Sequence, residues 1–179
     1  MMKSNFDHAF KIVLNHEGGF TKNPRDSGNW TGGRVGQGQL HGTQYGISAA
    51  SYPKLDIAAL TLDEAQTIYR RDYWDRLRAD DLPPSLALLA FDAAVNCGVS
   101  RSARWLQSAV GAHPDGLVGP RTLLAVQAHG YNCAEICAEM LASRLLFMSN
   151  LPTWPTFGPG WARRLCYLLS EATRIETNL

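Results

Sequence analysis

This sequence predicts a mostly α-helical protein, and three observations carry that prediction. Seven stretches place apolar residues three and four apart between recognisable helix start and stop signals. No convincing set of alternating apolar and polar strands exists. One long stretch, residues 18–46, is rich in Gly, Asn, Thr and Asp, contains Pro24 and lacks a helical period, so it reads as a long Gly-rich loop or small hairpin.

Ser4 precedes Phe6, Phe10, Val13 and Leu14 at helical spacing, which predicts a first helix over 5–17 with Glu17 on its last turn and Gly18-Gly19 stopping it. An aperiodic loop of nearly thirty residues is unusual in a compact domain, and such loops tend to be binding or active-site segments. Thr61-Leu62-Asp63-Glu64 is a capping box, and Ala65, Ile68, Tyr69 and Tyr73 continue one face to about Arg78. Pro83-Pro84 opens a segment apolar nearly all round and closed by Gly98, which belongs at the centre of a core. Further helices are predicted over 101–110, 121–129, 133–149 and 160–176.

The chain has 179 residues, 45% of them hydrophobic and 18% charged, enough apolar material for one compact core and incompatible with intrinsic disorder. Its formal charge of +1 recommends neither nucleic acid nor an anionic membrane as partner. The longest apolar run, 86–94, is interrupted by Asp92 and falls short of the roughly 20 residues of a membrane span. The first twenty residues lack a Sec-type signal pattern. Cys97, Cys133, Cys137 and Cys166 lie in apolar helical patterns without zinc-like spacing and read as reduced core thiols, so neither a metal nor another cofactor is expected.

Glu17 and Asp26 are two carboxylates nine positions apart at the entrance to the aperiodic stretch. A glycosidase needs such a pair, one carboxyl kept protonated by an apolar setting and the other ionised. On spacing alone, a solvated helix-end acid and a turn residue are the favoured explanation of the pair. Asp92 and Asn96 stand one turn apart on the apolar central helix, either lining a cleft floor for acetamido and hydroxyl groups or bracing the loop by hydrogen bonds. His8 and His16 have no nucleophile motif beside them.

Three strings bear on these alternatives: His16-Glu17-Gly18-Gly19-Phe20, Asp26-Ser27-Gly28-Asn29-Trp30-Thr31-Gly32-Gly33 and Gly42-Thr43-Gln44-Tyr45-Gly46-Ile47-Ser48. Their order resembles the signature of the family 108 glycoside hydrolases, lysozyme-like N-acetylmuramidases found as phage endolysins and bacterial secretion activators. The likeness continues through 69–74 and 91–98 and covers the N-terminal 110 residues. It implies a lysozyme-like helical fold, with Glu17 as general acid, Asp26 as second carboxylate and Thr43 helping to hold the attacking water. The implied reaction is hydrolysis of the β-1,4 bond between N-acetylmuramic acid and N-acetylglucosamine in peptidoglycan, without a cofactor. Sugar faces pack on aromatic rings, so Tyr45 and Trp30 are substrate-wall candidates, with Asp92 and Asn96 as further substrate-binding candidates; Tyr73 and Trp74 read as core.

Leu106-Gln107 and Asp115-Gly116-x-x-Gly119-Pro120 resemble peptidoglycan-binding modules, although a stabilising turn explains the same residues. The expected organisation is therefore a catalytic part over 1–110 and a helical peptidoglycan-binding-like part over 111–179, packed as one compact unit and monomeric. A non-catalytic wall-binding protein and a lytic transglycosylase are the rival readings. Without a Sec address, such an enzyme would reach the cell wall through a holin, lysis or dedicated export.

Overall fold

Every residue from Ser85 to Ala94 is buried, the consequence of a helix that is apolar on all sides except at Ser85 and Asp92 over that span. The computed structural model describes residues 4–15, 19–130 and 133–177. They fall into two compact units, Phe10–Arg70 and Met1–Ala9 with Arg71–Leu179. The chain is mostly helical, as the sequence predicts: α1 (Asn5–Leu14), α2 (Leu62–Tyr69), α3 (Pro84–Cys97), α4 (Val99–Ala109), α5 (Pro120–Ala128), α6 (Cys133–Ser149) and α7 (Trp154–Thr177). Two short antiparallel strands, β1 (Thr43–Gln44) and β2 (Ile47–Ser48), form a small hairpin.

In the larger unit α3 packs against α4, α6 and α7. Phe6, Trp74 and Phe91 meet edge to face, with ring centroids 5.3 to 5.9 Å apart. Trp74 is fully buried, as its core reading requires, and its indole N–H donates to Asp80 Oδ1 at 2.9 Å. Serving that burial, the helix expected to run to Arg78 changes character after Tyr69. It widens into a π turn over Arg70–Trp74, tightens into a 3₁₀ turn over Asp75–Leu77, and stops at Arg78, whose φ of +48° is left-handed.

Charge is also built into this core. Asp92 on α3 is fully buried, with Oδ2 accepting from Arg144 Nη1 of α6 at 2.6 Å and Oδ1 accepting from Arg164 Nη2 and Nε of α7 at 2.6 and 3.0 Å. One carboxylate thus joins three helices. Ser102 Oγ donates to the Ala90 carbonyl at 2.6 Å and ties α4 to the same helix.

The Leu106-Gln107 and Asp115-Gly116 pattern forms one local network. Buried Gln107 accepts the Gly116 N–H at 2.9 Å and donates to Asp115 Oδ1 at 2.7 Å, which itself accepts the Leu117 N–H. These bonds hold the Asp115 carboxyl below the usual range, the Gln107 amide being the larger cause. Gly116 has φ +86°, and a Cβ there would stand 2.3 Å from Ser100 Oγ. Pro120 then occupies the first turn of α5.

Helix α7 starts at Trp154, six residues before the sequence suggests, and carries Pro159 within it. Proline in the second turn gives up one early hydrogen bond, and its ring crowds the carbonyl four residues before it. Gly158 leaves room for the Trp154 ring, which approaches Trp161 at 6.1 Å, while Phe157 stacks on Trp161 at 5.9 Å. All four cysteines are free. Cys133 and Cys137 are buried and Cys97 is half-buried, whereas Cys166 is exposed because it lies on the outward face of α7, which corrects its assignment to the core. Burial raises the thiols of Cys97 and Cys133 and pushes Cys137 up to about 12, keeping them protonated at neutral pH.

Asp92→Ala leaves two guanidiniums without their carboxylate, and is expected to cost about 3–5 kcal/mol in urea denaturation. Arg144→Met is expected to cost less, because Asp92 keeps Arg164 and because Arg144 Nε and Nη2 lack partners among the described residues. Thiol titration with a disulfide reagent at pH 8 should label Cys166 in the native protein and reach Cys133 and Cys137 only on unfolding.

Candidate active site

Backbone outside helices must find hydrogen-bond partners elsewhere, and in residues 19–60 it finds them in a web of turns around the hairpin. Asp26 caps the 3₁₀ turn Ser27–Asn29, its Oδ1 accepting the Gly28 N–H at 2.9 Å. This short side chain holds its own turn while the carboxylate remains exposed.

Asn29, at the end of that turn, is fully buried and joins it to the hairpin. Its Nδ2 donates to the Asn23 carbonyl at 3.0 Å, and its Oδ1 accepts from Thr43 Oγ1 at 2.7 Å. Its own carbonyl accepts the His41 and Gly42 N–H groups, each at 3.0 Å, while Ala50 N–H donates to the Gly28 carbonyl at 3.0 Å. Thr43 and Thr21 exchange both backbone bonds, at 2.9 and 2.8 Å. That approach requires Gly42: its φ is +92°, and a Cβ there would lie 2.5 Å from the Thr21 carbonyl oxygen.

Tyr45 and Gly46 form the two-residue connection between β1 and β2, with φ of +52° and +74°. Two positive values mark a type I′ turn, in which glycine is ordinary and a tyrosine is strained. The strain is supported from α2, where buried Tyr69 donates its hydroxyl to the Tyr45 carbonyl at 2.9 Å. Tyr69 also packs edge-on against Phe10 of α1 at 5.4 Å. Gln44 Nε2 donates to the Leu60 carbonyl at 2.9 Å, anchoring the other side of the turn. The Trp30 indole donates to the Pro24 carbonyl at 2.9 Å, which fixes its half-buried ring.

Asp26, Trp30, Thr43 and Tyr45 are therefore held by one network in Phe10–Arg70. Glu17 lies outside the described residues. Asp92 and Asn96 belong to the other unit: both oxygens of Asp92 are taken by arginines, and exposed Asn96 turns its amide back onto the Asp92 carbonyl at 2.9 Å. Asn29 was invisible as a functional residue in the sequence, since an asparagine in a Gly-rich stretch looks like any turn former. The described residues contain no cluster of His, Cys, Asp and Glu arranged to hold a metal ion, and no helix among them is long and apolar enough to cross a membrane.

Two family models match the chain in succession: glycosyl hydrolase 108 over residues 10–98, and a predicted peptidoglycan domain over residues 101–166. The solved structure of SagA from Brucella abortus is 32% identical, with a TM-score of 0.79, and the alignment covers 96% of this chain and 95% of that one. No curated protein matches the sequence. The first match spans the aperiodic stretch with its hydrogen-bonded hairpin, and the second spans the Gln107–Asp115–Gly116 network. From these matches and the likeness to SagA over nearly its whole length, the chain belongs to the glycosyl hydrolase 108 family, glycoside hydrolases, and its substrate is peptidoglycan.

Proposed function

We propose that this hydrolase is an N-acetylmuramidase, cleaving the β-1,4 bond between N-acetylmuramic acid and N-acetylglucosamine. The observation that carries the reading is the hairpin network, which presents an exposed Asp26 carboxylate and the Thr43 hydroxyl from one hydrogen-bonded unit. In this scheme Glu17 protonates the leaving glycosidic oxygen, and Asp26 stabilises the positive charge developing on the sugar or directs water to it. Thr43 gives its proton to Asn29 Oδ1, so its oxygen lone pairs are left to accept from a water and orient it.

Tyr45 and Trp30 form the aromatic wall for the sugar faces. Tyr45 supports this by its backbone: a strained tyrosine persists where glycine or asparagine would be easier, and strain of this kind gathers at ligand-binding sites. Asp92 is left out of the substrate contacts, because its carboxylate is buried and committed to Arg144 and Arg164. Residues 1–110 supply catalysis and residues 111–179 hold the wall polymer.

Digestion of purified peptidoglycan, with mass analysis of the fragments, tests the scheme. Wild-type protein should release reducing N-acetylmuramic acid ends, and Glu17→Gln should lose about 100-fold or more, since the amide fills the same space without delivering a proton. Anhydro-muramic ends would replace hydrolysis by transglycosylation. Binding without fragments from either protein would make the chain a wall-binding module. Asp26→Asn should slow cleavage less than Glu17→Gln, and an unchanged rate would pass the second role to another residue.

Tyr45→Asn separates the turn from the sugar wall. It should raise stability by about 0.5–1 kcal/mol in thermal denaturation, by relieving the left-handed tyrosine. It should also raise the KM for peptidoglycan, through loss of the ring.

A further inference from the structure

The segment matched by the peptidoglycan family model begins at residue 101, so it takes in most of α4, and α4 carries a cluster that the catalytic scheme leaves unused. Arg101, Trp105 and Phe147 all belong to the unit that includes Arg71–Leu179. The Arg101 guanidinium lies over the Phe147 ring of α6, 4.2 Å from its centroid, and Phe147 meets Trp105 as a tilted pair at 5.8 Å. Arg101 Nη1 also donates to the Cys97 carbonyl at 2.9 Å. Ring and carbonyl together fix a long side chain that would otherwise sample many rotamers.

The cluster is reachable from solvent. Arg101 is exposed, and Trp105 and Phe147 are half-buried. The Cys97 carbonyl takes one of the five guanidinium N–H groups, and Arg101 has no ion-pair partner among the described residues. Arg104, three positions on, is also exposed and has no ion pair there. No acidic residue occurs in α4, or in α6 after Glu139. Like charges three apart on a helix repel, and Arg101 stands in the first turn of α4, where the helix end is already partly positive. An anion beside Arg101 relieves both.

The surface thus sets a pre-oriented guanidinium next to an indole. A neutral glycan uses only the ring, and a small inorganic anion uses only the cation. A muramyl peptide uses both, because the C–H face of its sugar packs on an aromatic ring and its peptide carries carboxylates, which a guanidinium fork binds in pairs of hydrogen bonds. We propose that Arg101, Trp105 and Phe147 form a subsite for a muramyl-peptide unit of the wall polymer, with a peptide carboxylate on Arg101 and the sugar face on Trp105. The inference rests on the reading that the C-terminal part holds peptidoglycan, and it extends that surface back onto α4.

The test follows the Trp105 indole N–H of the full chain by NMR, the resonance being identified by its loss in Trp105→Phe. Two soluble ligands are titrated. N-acetylglucosaminyl-N-acetylmuramyl tripeptide carries carboxylates and ends in N-acetylmuramic acid, so it lacks the bond assigned to this enzyme; the tetramer of N-acetylglucosamine carries no carboxylate at all. The muropeptide should move the indole, and the neutral tetramer should need a concentration at least about tenfold higher to do so. Arg101→Gln should weaken the muropeptide about tenfold and leave the tetramer unchanged. Arg101→Lys, which keeps the charge but not the flat stacked fork, should recover only part of the loss.

An indole that the muropeptide leaves unmoved, or that both ligands move equally, would overturn the subsite, as would an Arg101→Gln protein that binds the muropeptide as tightly as wild type. Pelleting of the wild-type protein with purified peptidoglycan tests the wall-holding reading separately. If the protein stays in solution that reading fails, while the titration still decides the subsite.

Discussion

The larger unit depends on a single buried carboxylate. Asp92 sits in a helix whose buried residues are otherwise apolar except for Ser85, and its two oxygens collect guanidiniums from α6 and α7. Hydrophobic burial is non-directional and would let three helices slide past one another, whereas two charge-assisted contacts to one carboxylate allow a single register. The arrangement has a cost in desolvation, so its effect is better described as specifying how α3, α6 and α7 meet than as adding net stability. In the same unit Trp74 and Phe91 pack edge to face. The π turn that breaks the preceding helix is what delivers Trp74 there.

The unit that carries the candidate site is organised on another principle. It has little regular structure, so its order comes from side chains that substitute for backbone ladders. Asn29 does most of this with one amide and one carbonyl, joining the Asp26 turn to the strand that carries Thr43. Positioning a carboxylate and a hydroxyl through a buried amide gives a rigid support without placing either group in the core. The strained Tyr45 turn fits the same pattern, being held from below by the Tyr69 hydroxyl and from the side by Gln44. A site built this way keeps its polar groups available to a long polymer while its backbone is pinned.

The segment over 101–166 shows why a motif and a function are separate matters. Gln107, Asp115 and Gly116, which carry the likeness to peptidoglycan-binding modules, are occupied with one another. They shape the turn before α5, and any contact with the wall must come from surfaces that this turn positions. The capping box of α2 is a local device of the same sort: Thr61 and Glu64 exchange hydrogen bonds, and the bonds from Thr61 hold the Glu64 carboxyl below its usual range. That contribution is present at neutral pH, above the unfolded value, and is lost as pH falls through the lowered folded one.

Helical periodicity, proline and glycine punctuation and the capping box are local properties, and so the sequence by itself determined the mostly helical class, the bounds of α3 and α6, and the aperiodic stretch. The ordered strings in that stretch likewise carry the likeness to the family without reference to any geometry. Long-range pairing is not written in local pattern. Only the tertiary structure decided that Asp92 serves arginines 52 and 72 positions away, and that Asn29 binds Thr43 across 14 residues. It also decided that α7 begins before Pro159, because the glycine beside it makes room for the Trp154 ring. Asp92, Asn29 and Gly158 each look ordinary in the sequence, and each acquires its role from a partner that folding brings to it.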